Sequence, residues 1–241
     1  MTINTFVPNP ISPRVLGHRR SAIADQLQSA TGIMLGCFLL VHLHFESSIL
    51  LGKDAFYHVV QFLEGGMFSA TGHGYPWTSQ IISLIMLVVV MVHAGTALRR
   101  FPIQLGQWRA LRNQQQIIKH SDSRLWFWQL ITGFGLFFLA PVHLYDMLTD
   151  PSIGPNLSAE RVYHGGLWIL YIVLLPMVVI HAMLGLYRVL LKWGWINQRT
   201  LLRKLTMIAI VYLLMLGLAS LAAYLSIGAE LSLPVTPYTP S

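Results

Sequence analysis

Apolar residues in this chain gather into long runs, not into the ~3.6-residue rhythm of a surface helix or the alternation of a half-buried strand. Five runs reach the ~20 residues that cross a ~30 Å hydrocarbon core. They cover Ala22–Leu51, Thr78–Leu98, Leu125–Leu148, Val162–Leu191 and Leu205–Ile227. Several exceed the minimum, which implies tilt or projection beyond the bilayer. The expected fold is all-α, a bundle of five transmembrane helices. Residues 1–21 form an N-terminal segment, 22–228 the membrane domain and 229–241 a tail on the far side.

Composition agrees: 54% of residues are hydrophobic and 10% charged, against about a quarter charged in a soluble domain. The net charge of +7 would suit a nucleic-acid partner, but its distribution points elsewhere. Arg14, Arg19 and Arg20 precede the first run. Arg99, Arg100, Arg109, Arg112, Lys119 and Arg124 fill the second loop, and Arg188, Lys192, Arg199, Arg203 and Lys204 the fourth. The first and third loops and the tail carry only Lys53 and Arg161. This positive-inside asymmetry places the N-terminus in the cytoplasm and the tail outside. Met1–Gly17 has no apolar centre, so the first run is expected to stay in the mature protein. With Cys37 as the single cysteine, the chain offers no disulfide framework, cysteine-held cluster or C-x-x-C-H haem attachment.

Four of the apolar runs each carry a histidine towards their C-terminal end: His42, His93, His143 and His181. An ionisable group within a span is costly and marks function. Alternating crossings put His42 and His143 in one leaflet and His93 and His181 in the other. At ~1.5 Å per residue, His93 and His181 lie roughly 10 Å inside Arg99 and Arg188, and His42 and His143 about 30 Å from Arg20 and Arg124. Depths match within each pair and differ between pairs by roughly 15 Å. Isolated histidines bonded between helices need no such matching; two bis-histidine haems do. Spacing does not separate His42 from His44, two residues on. His164 could face the outer pair, while His18, His58, His73 and His120 fall in loops. Gly32, Gly36, Gly133, Gly135 and Gly185 near these positions suit close helix packing and equally suit room for a flat macrocycle. Pro141 and Pro176 precede two of the histidines, where each removes a backbone donor.

These residues also carry a resemblance. Gln28-Ser29-Ala30-Thr31-Gly32 before His42, His93-Ala94 leading to Arg99-Arg100-Phe101-Pro102-Ile103, Thr132-Gly133-Phe134, Val142-His143-Leu144-Tyr145, and Gly185-Leu186-Tyr187-Arg188 with Lys192-Trp193-Gly194-Trp195 are similar to the cytochrome b subunit of succinate:quinone oxidoreductases. The likeness is greatest to the di-haem, single-anchor quinol:fumarate reductases. It implies a five-helix bundle enclosing two b-type haems, with His42 and His143 on the distal haem and His93 and His181 on the proximal one, and it selects His42 over His44. It further implies menaquinone as substrate, a bacterial inner-membrane location, and two partner subunits: a flavoprotein carrying FAD and an iron–sulfur protein carrying the clusters. The basic second and fourth loops, with Trp108 and Trp193, would dock the latter or bind anionic membrane lipid. Di-haem anchors of hydrogenases, formate dehydrogenases or nitrate reductases share the paired histidines, and a proton transporter with intramembrane histidines would share some of the pattern.

Quinol oxidation needs a proton acceptor beside the ring. Asp25, Glu46 and Glu64 lie near the membrane; Glu64, in Phe62-Leu63-Glu64-Gly65-Gly66, is similar to the family's acidic residue at the outer quinone pocket and is the expected base, with Glu46 second. Related anchors can carry a glutamate beside the fourth-span ligand for transmembrane proton transfer. Here the neighbours are Val179 and Ile180.

Overall fold

The computed structural model describes residues 13–69, 74–99, 101–102, 104–117 and 121–240. Among them run eight α-helices and no strand: α1 (Pro13–Glu46), α2 (Lys53–Leu63), α3 (Trp77–Leu98), α4 (Leu105–Ile117), α5 (Ser121–Thr149), α6 (Pro155–Tyr163), α7 (Trp168–Lys192) and α8 (Arg199–Glu230). Five stretches are long and apolar enough to cross a membrane: Ser21–Leu51, Trp77–Leu98, Asp122–Thr149, Trp168–Lys192 and Arg199–Glu230. They coincide with the five expected runs. Hydroxyls such as those of Thr132 and Thr206 bond back to the preceding turn, to Trp128 O (2.8 Å) and Leu202 O (2.8 Å), which pairs them within their own helices.

The fourth run differs from its expected bounds. Val162 belongs to α6, a separate short helix, and the chain turns through His164-Gly165-Gly166 before α7 starts at Trp168. Gly166 has φ +73°, a left-handed conformation that glycine adopts without steric cost. Apolar character continues across the break although the helix does not. The fifth run is longer than expected at its start, because α8 takes in the basic residues Arg199, Arg203 and Lys204.

Helices α1, α3, α5 and α7 form a closed ring in which each touches the next and α7 returns to α1. Helix α8 stands outside the ring. Its first half packs on α1 and α7 through Leu43, Val179, Met183, Leu184, Ile210 and Leu213. Its second half packs with Ile49, Phe56, Val60, Ala159 and Val162 through Leu221 and Tyr224. One end of the bundle is therefore roofed by the short helices α2 and α6. The opposite, basic end is tied by Arg99 to Asp25 (3.2 Å) and Arg199 to Asp122 (3.6 Å).

Candidate functional site: two crossed histidine pairs

The ring brings the four span histidines together two by two, each pair across its diagonal. His42 on α1 meets His143 on α5, and His93 on α3 meets His181 on α7; both pairs have ring centroids 6.3 Å apart. A metal–imidazole bond of ~2.0 Å with the centroid ~1.1 Å behind the nitrogen would put two rings on opposite sides of one metal about 6.2 Å apart. Both pairs have that spacing. Among the described residues, no three His, Cys, Asp or Glu side chains gather as a metal-holding group. A bare metal draws three or four ligands from protein, whereas two axial histidines suffice when a macrocycle fills the other positions. The donor set fits haem.

Hydrogen bonds determine which ring nitrogens are free. His181 Nδ1 faces Gln129 O at 3.0 Å; a carbonyl only accepts, so Nδ1 carries the proton and Nε2 keeps its lone pair. His93 Nδ1 lies 3.1 Å from Thr31 Oγ1. The Thr31 hydroxyl proton goes to Leu27 O at 2.6 Å, so here too the imidazole donates from Nδ1. Such outer partners fix ring orientation and raise ligand basicity. In the other pair, His143 Nδ1 is 3.4 Å from Tyr171 Oη, and His42 stacks on Phe38 with centroids 5.4 Å apart.

His44 has both nitrogens occupied, Nδ1 by Leu40 O (2.6 Å) and Nε2 by Tyr212 Oη (3.0 Å). It faces α8 and lies outside the pair, a separation invisible to spacing alone. His164 is exposed and packs edge-on against Tyr163, so it does not join His42 and His143. His58 packs on Tyr57, while His73 and His120 lie outside the described residues.

Two of the five glycines lie against the imidazoles of span histidines. A Cβ on Gly32 would lie 3.1 Å from His93 Cε1, and one on Gly133 would lie 2.8 Å from His181 Cε1. Gly36 instead accommodates Leu186 and Gly185 the Gln129 amide.

Of the carboxylates, Glu64 is the buried one. It follows α2 at the roofed end and is only 5% exposed. Its Oε1 accepts a 3.4 Å bond from Ser79 Oγ, its backbone carbonyl accepts Tyr75 N–H, and Gly74 packs against its side chain, where a Cβ would come within 2.7 Å of Oε2. Desolvation pushes the carboxyl above its ordinary value, with the Ser79 bond opposing. Glu46 is engaged elsewhere, its Oε2 accepting Tyr224 O–H at 3.0 Å. Asp25 pairs with Arg99 at the basic end. Val179 is fully buried in the apolar core between α1, α7 and α8. Sequence reasoning did not single out Arg161, which bridges Asp146 (3.8 Å) and the carbonyls of Asp150 (2.7 Å) and Ser152 (2.9 Å) where α5 ends.

The chain has relatives among known proteins. Residues 107–219 match the family described as the succinate dehydrogenase/fumarate reductase transmembrane subunit. Proteins named fumarate reductase cytochrome b subunit from two strains of Helicobacter pylori are 41% identical over 86% of this chain and 81% of theirs. The protein of that name from Wolinella succinogenes is 36% identical over 95% of this chain and 91% of its own.

Proposed function

Because this chain belongs to the family of succinate dehydrogenase and fumarate reductase transmembrane subunits, we propose that it is the haem-bearing membrane anchor of a fumarate reductase-type complex. It passes electrons between a membrane quinone, menaquinone by the resemblance, and an iron–sulfur subunit whose flavoprotein partner interconverts fumarate and succinate. The observation that carries this reading is the pair of 6.3 Å diagonal histidine contacts.

The concentration of Arg and Lys at the basic end orients that end to the cytoplasm, with residues 1–21 inside and 229–241 outside. His93 and His181 then hold the inner haem, His42 and His143 the outer one. Bound haem supplies a one-electron centre at each level. The chain's own residues set where those centres stand. Gly32 touches His93 and lies ten residues before His42, as Gly133 does relative to His181 and His143, so both helices separate the levels by ~15 Å. Thr31 and Gln129 keep the inner imidazoles in the tautomer that leaves Nε2 free.

Glu64 serves the outer quinol. Its buried carboxylate, raised towards the working pH, is suited to take a proton from a hydroquinone hydroxyl, and Ser79 orients it. Phe62, Met67 and Phe68, all exposed beside Glu64, give the isoprenoid substrate an apolar approach from lipid.

The test is a reduced-minus-oxidised spectrum with haem stoichiometry on the purified complex and on alanine variants of the four histidines. Two haems per chain are expected, with the outer one lost in His42→Ala and His143→Ala and the inner one in His93→Ala and His181→Ala. A single haem per chain, or both retained in His42→Ala, overturns the assignment.

A further inference from the structure

The ring of four helices holds a repetition that its uneven loops disguise. On α1 and α5 the residues Gln28 and Gln129, Thr31 and Thr132, Gly32 and Gly133, Leu35 and Leu136, Val41 and Val142, His42 and His143, and Leu43 and Leu144 stand 101 positions apart. Both helices thus read Gln-x2-Thr-Gly-x2-Leu-x5-Val-His-Leu. Each is followed by a short helix at the roofed end, α2 or α6, entered from a glycine, Gly52 or Gly154, and left through a glycine pair, Gly65-Gly66 or Gly165-Gly166. One glycine of each exit pair has positive φ, 75° at Gly65 and 73° at Gly166. Each unit then returns through a helix containing His-Ala, at His93-Ala94 or His181-Ala182.

The equivalence extends to contacts. In each unit the glycine of the Thr-Gly step touches Cε1 of the histidine on the unit's own second helix, and that histidine's Nδ1 meets an oxygen of the same Gln-x2-Thr segment, Thr31 Oγ1 at 3.1 Å for His93 and Gln129 O at 3.0 Å for His181. A two-fold axis along the bundle that exchanges α1–α3 with α5–α7 also exchanges His42 with His143 and His93 with His181. Both pairs therefore lie across one axis. Parallel repeats about an axis along the membrane normal are a recurrent way of building membrane proteins.

We propose that α1–α3 and α5–α7 are two copies of one ligand-presenting unit, in which the Gln-x2-Thr-Gly segment of the first helix is the positioning device for the inner histidine of the second. The inference rests on the haem reading above. Glycine removes the Cβ that would displace the ring, and an oxygen of the segment takes its Nδ1–H, the Thr31 hydroxyl in one copy and the Gln129 carbonyl in the other. At this seat the copies differ. Thr31 Oγ1 reaches His93, while Thr132 Oγ1 bonds only Trp128 O and Gln129 O.

The segment thus acts on the inner iron although it shares its helices with the outer ligands. The experiment compares Gly32→Ala, Gly133→Ala, Thr31→Val and Thr31→Ser in the assembled complex, reading each haem's midpoint potential and low-spin electron paramagnetic resonance signal, with the outer haem as internal control. Both glycine variants are expected to shift or abolish the inner signal and leave the outer one in place. Thr31→Val should move the inner potential positive, because the imidazole loses an acceptor and becomes a weaker donor to iron. Thr31→Ser should restore it. Outer and inner signals changing together, a shift in only one glycine variant, or a Thr31→Val protein indistinguishable from the parent overturns the proposal. If the parent complex holds no inner haem at all, it is the functional reading that fails.

Discussion

Glu64 illustrates how one buried side chain sets a measurable behaviour. Desolvation raises its carboxyl above the ordinary 4.5, and the Ser79 hydroxyl pulls it partly back. As a proton acceptor it works only when ionised, so quinol oxidation should be present above the raised value and fall as pH drops through it, with the acid limb above the ordinary carboxylate range. Ser79→Ala should move that limb further alkaline in a pH profile of quinol turnover. Glu64→Gln should reduce quinol oxidation by about 100-fold or more while haem spectra stay those of the parent. The same shift means the folded state favours the protonated carboxyl, so this group's contribution to stability grows as pH falls through the raised value. Little of this was legible beforehand. Phe62-Leu63-Glu64-Gly65-Gly66 marks an acid near the membrane; its burial depends on Gly74 and Ser79, which return to it from beyond the next turn. His44 shows the converse, since the Tyr212 hydroxyl that occupies its Nε2 is 168 residues away.

The spanning helices were readable because length and hydropathy alone specify them. The short helices were not. Helix α2 has 11 residues and α6 has 9, below spanning length, and they are held by single faces such as Phe56 and Val60 packed under Tyr224. Val162 looked like part of a span because its apolar surroundings continue through His164-Gly165-Gly166, where the backbone turns. Helix α8 carries no histidine of the four and braces the ring. Leu213 is 1% exposed between α1 and α7, so Leu213→Ala should cost about 2–5 kcal/mol, seen as a lower thermal midpoint in detergent. Both haem signals should persist in the surviving folded fraction, since no ligand or seat is touched.

At the scale of the whole molecule, α7 offers no acid beside His181: Val179 is sealed in apolar core and Ile180 follows it, so under the proposed function an electron taken from quinol outside travels to the inner face with no carboxylate on α7 to carry a proton beside it. Moving each charge inward across the full membrane opposes about 2.3 kcal/mol per 100 mV. Quinol-driven fumarate reduction in proteoliposomes should therefore slow when an inside-negative potential is imposed and recover when an ionophore collapses it; indifference to the potential would mean that a compensating proton path exists. The repeat has no fixed period, because its two ligands are 51 residues apart in one copy, His42 to His93, and 38 in the other, His143 to His181. The axis between the copies also bears on how a guest is received. A flat ring set on it meets matched residues such as Thr31 and Thr132 or Gly32 and Gly133 on its two sides, so those positions do not distinguish the two ways of inserting it, turned over about that axis. Only where the halves differ, as Ser29 differs from Leu130 and Gly36 from Phe137, does the chain tell one orientation from the other.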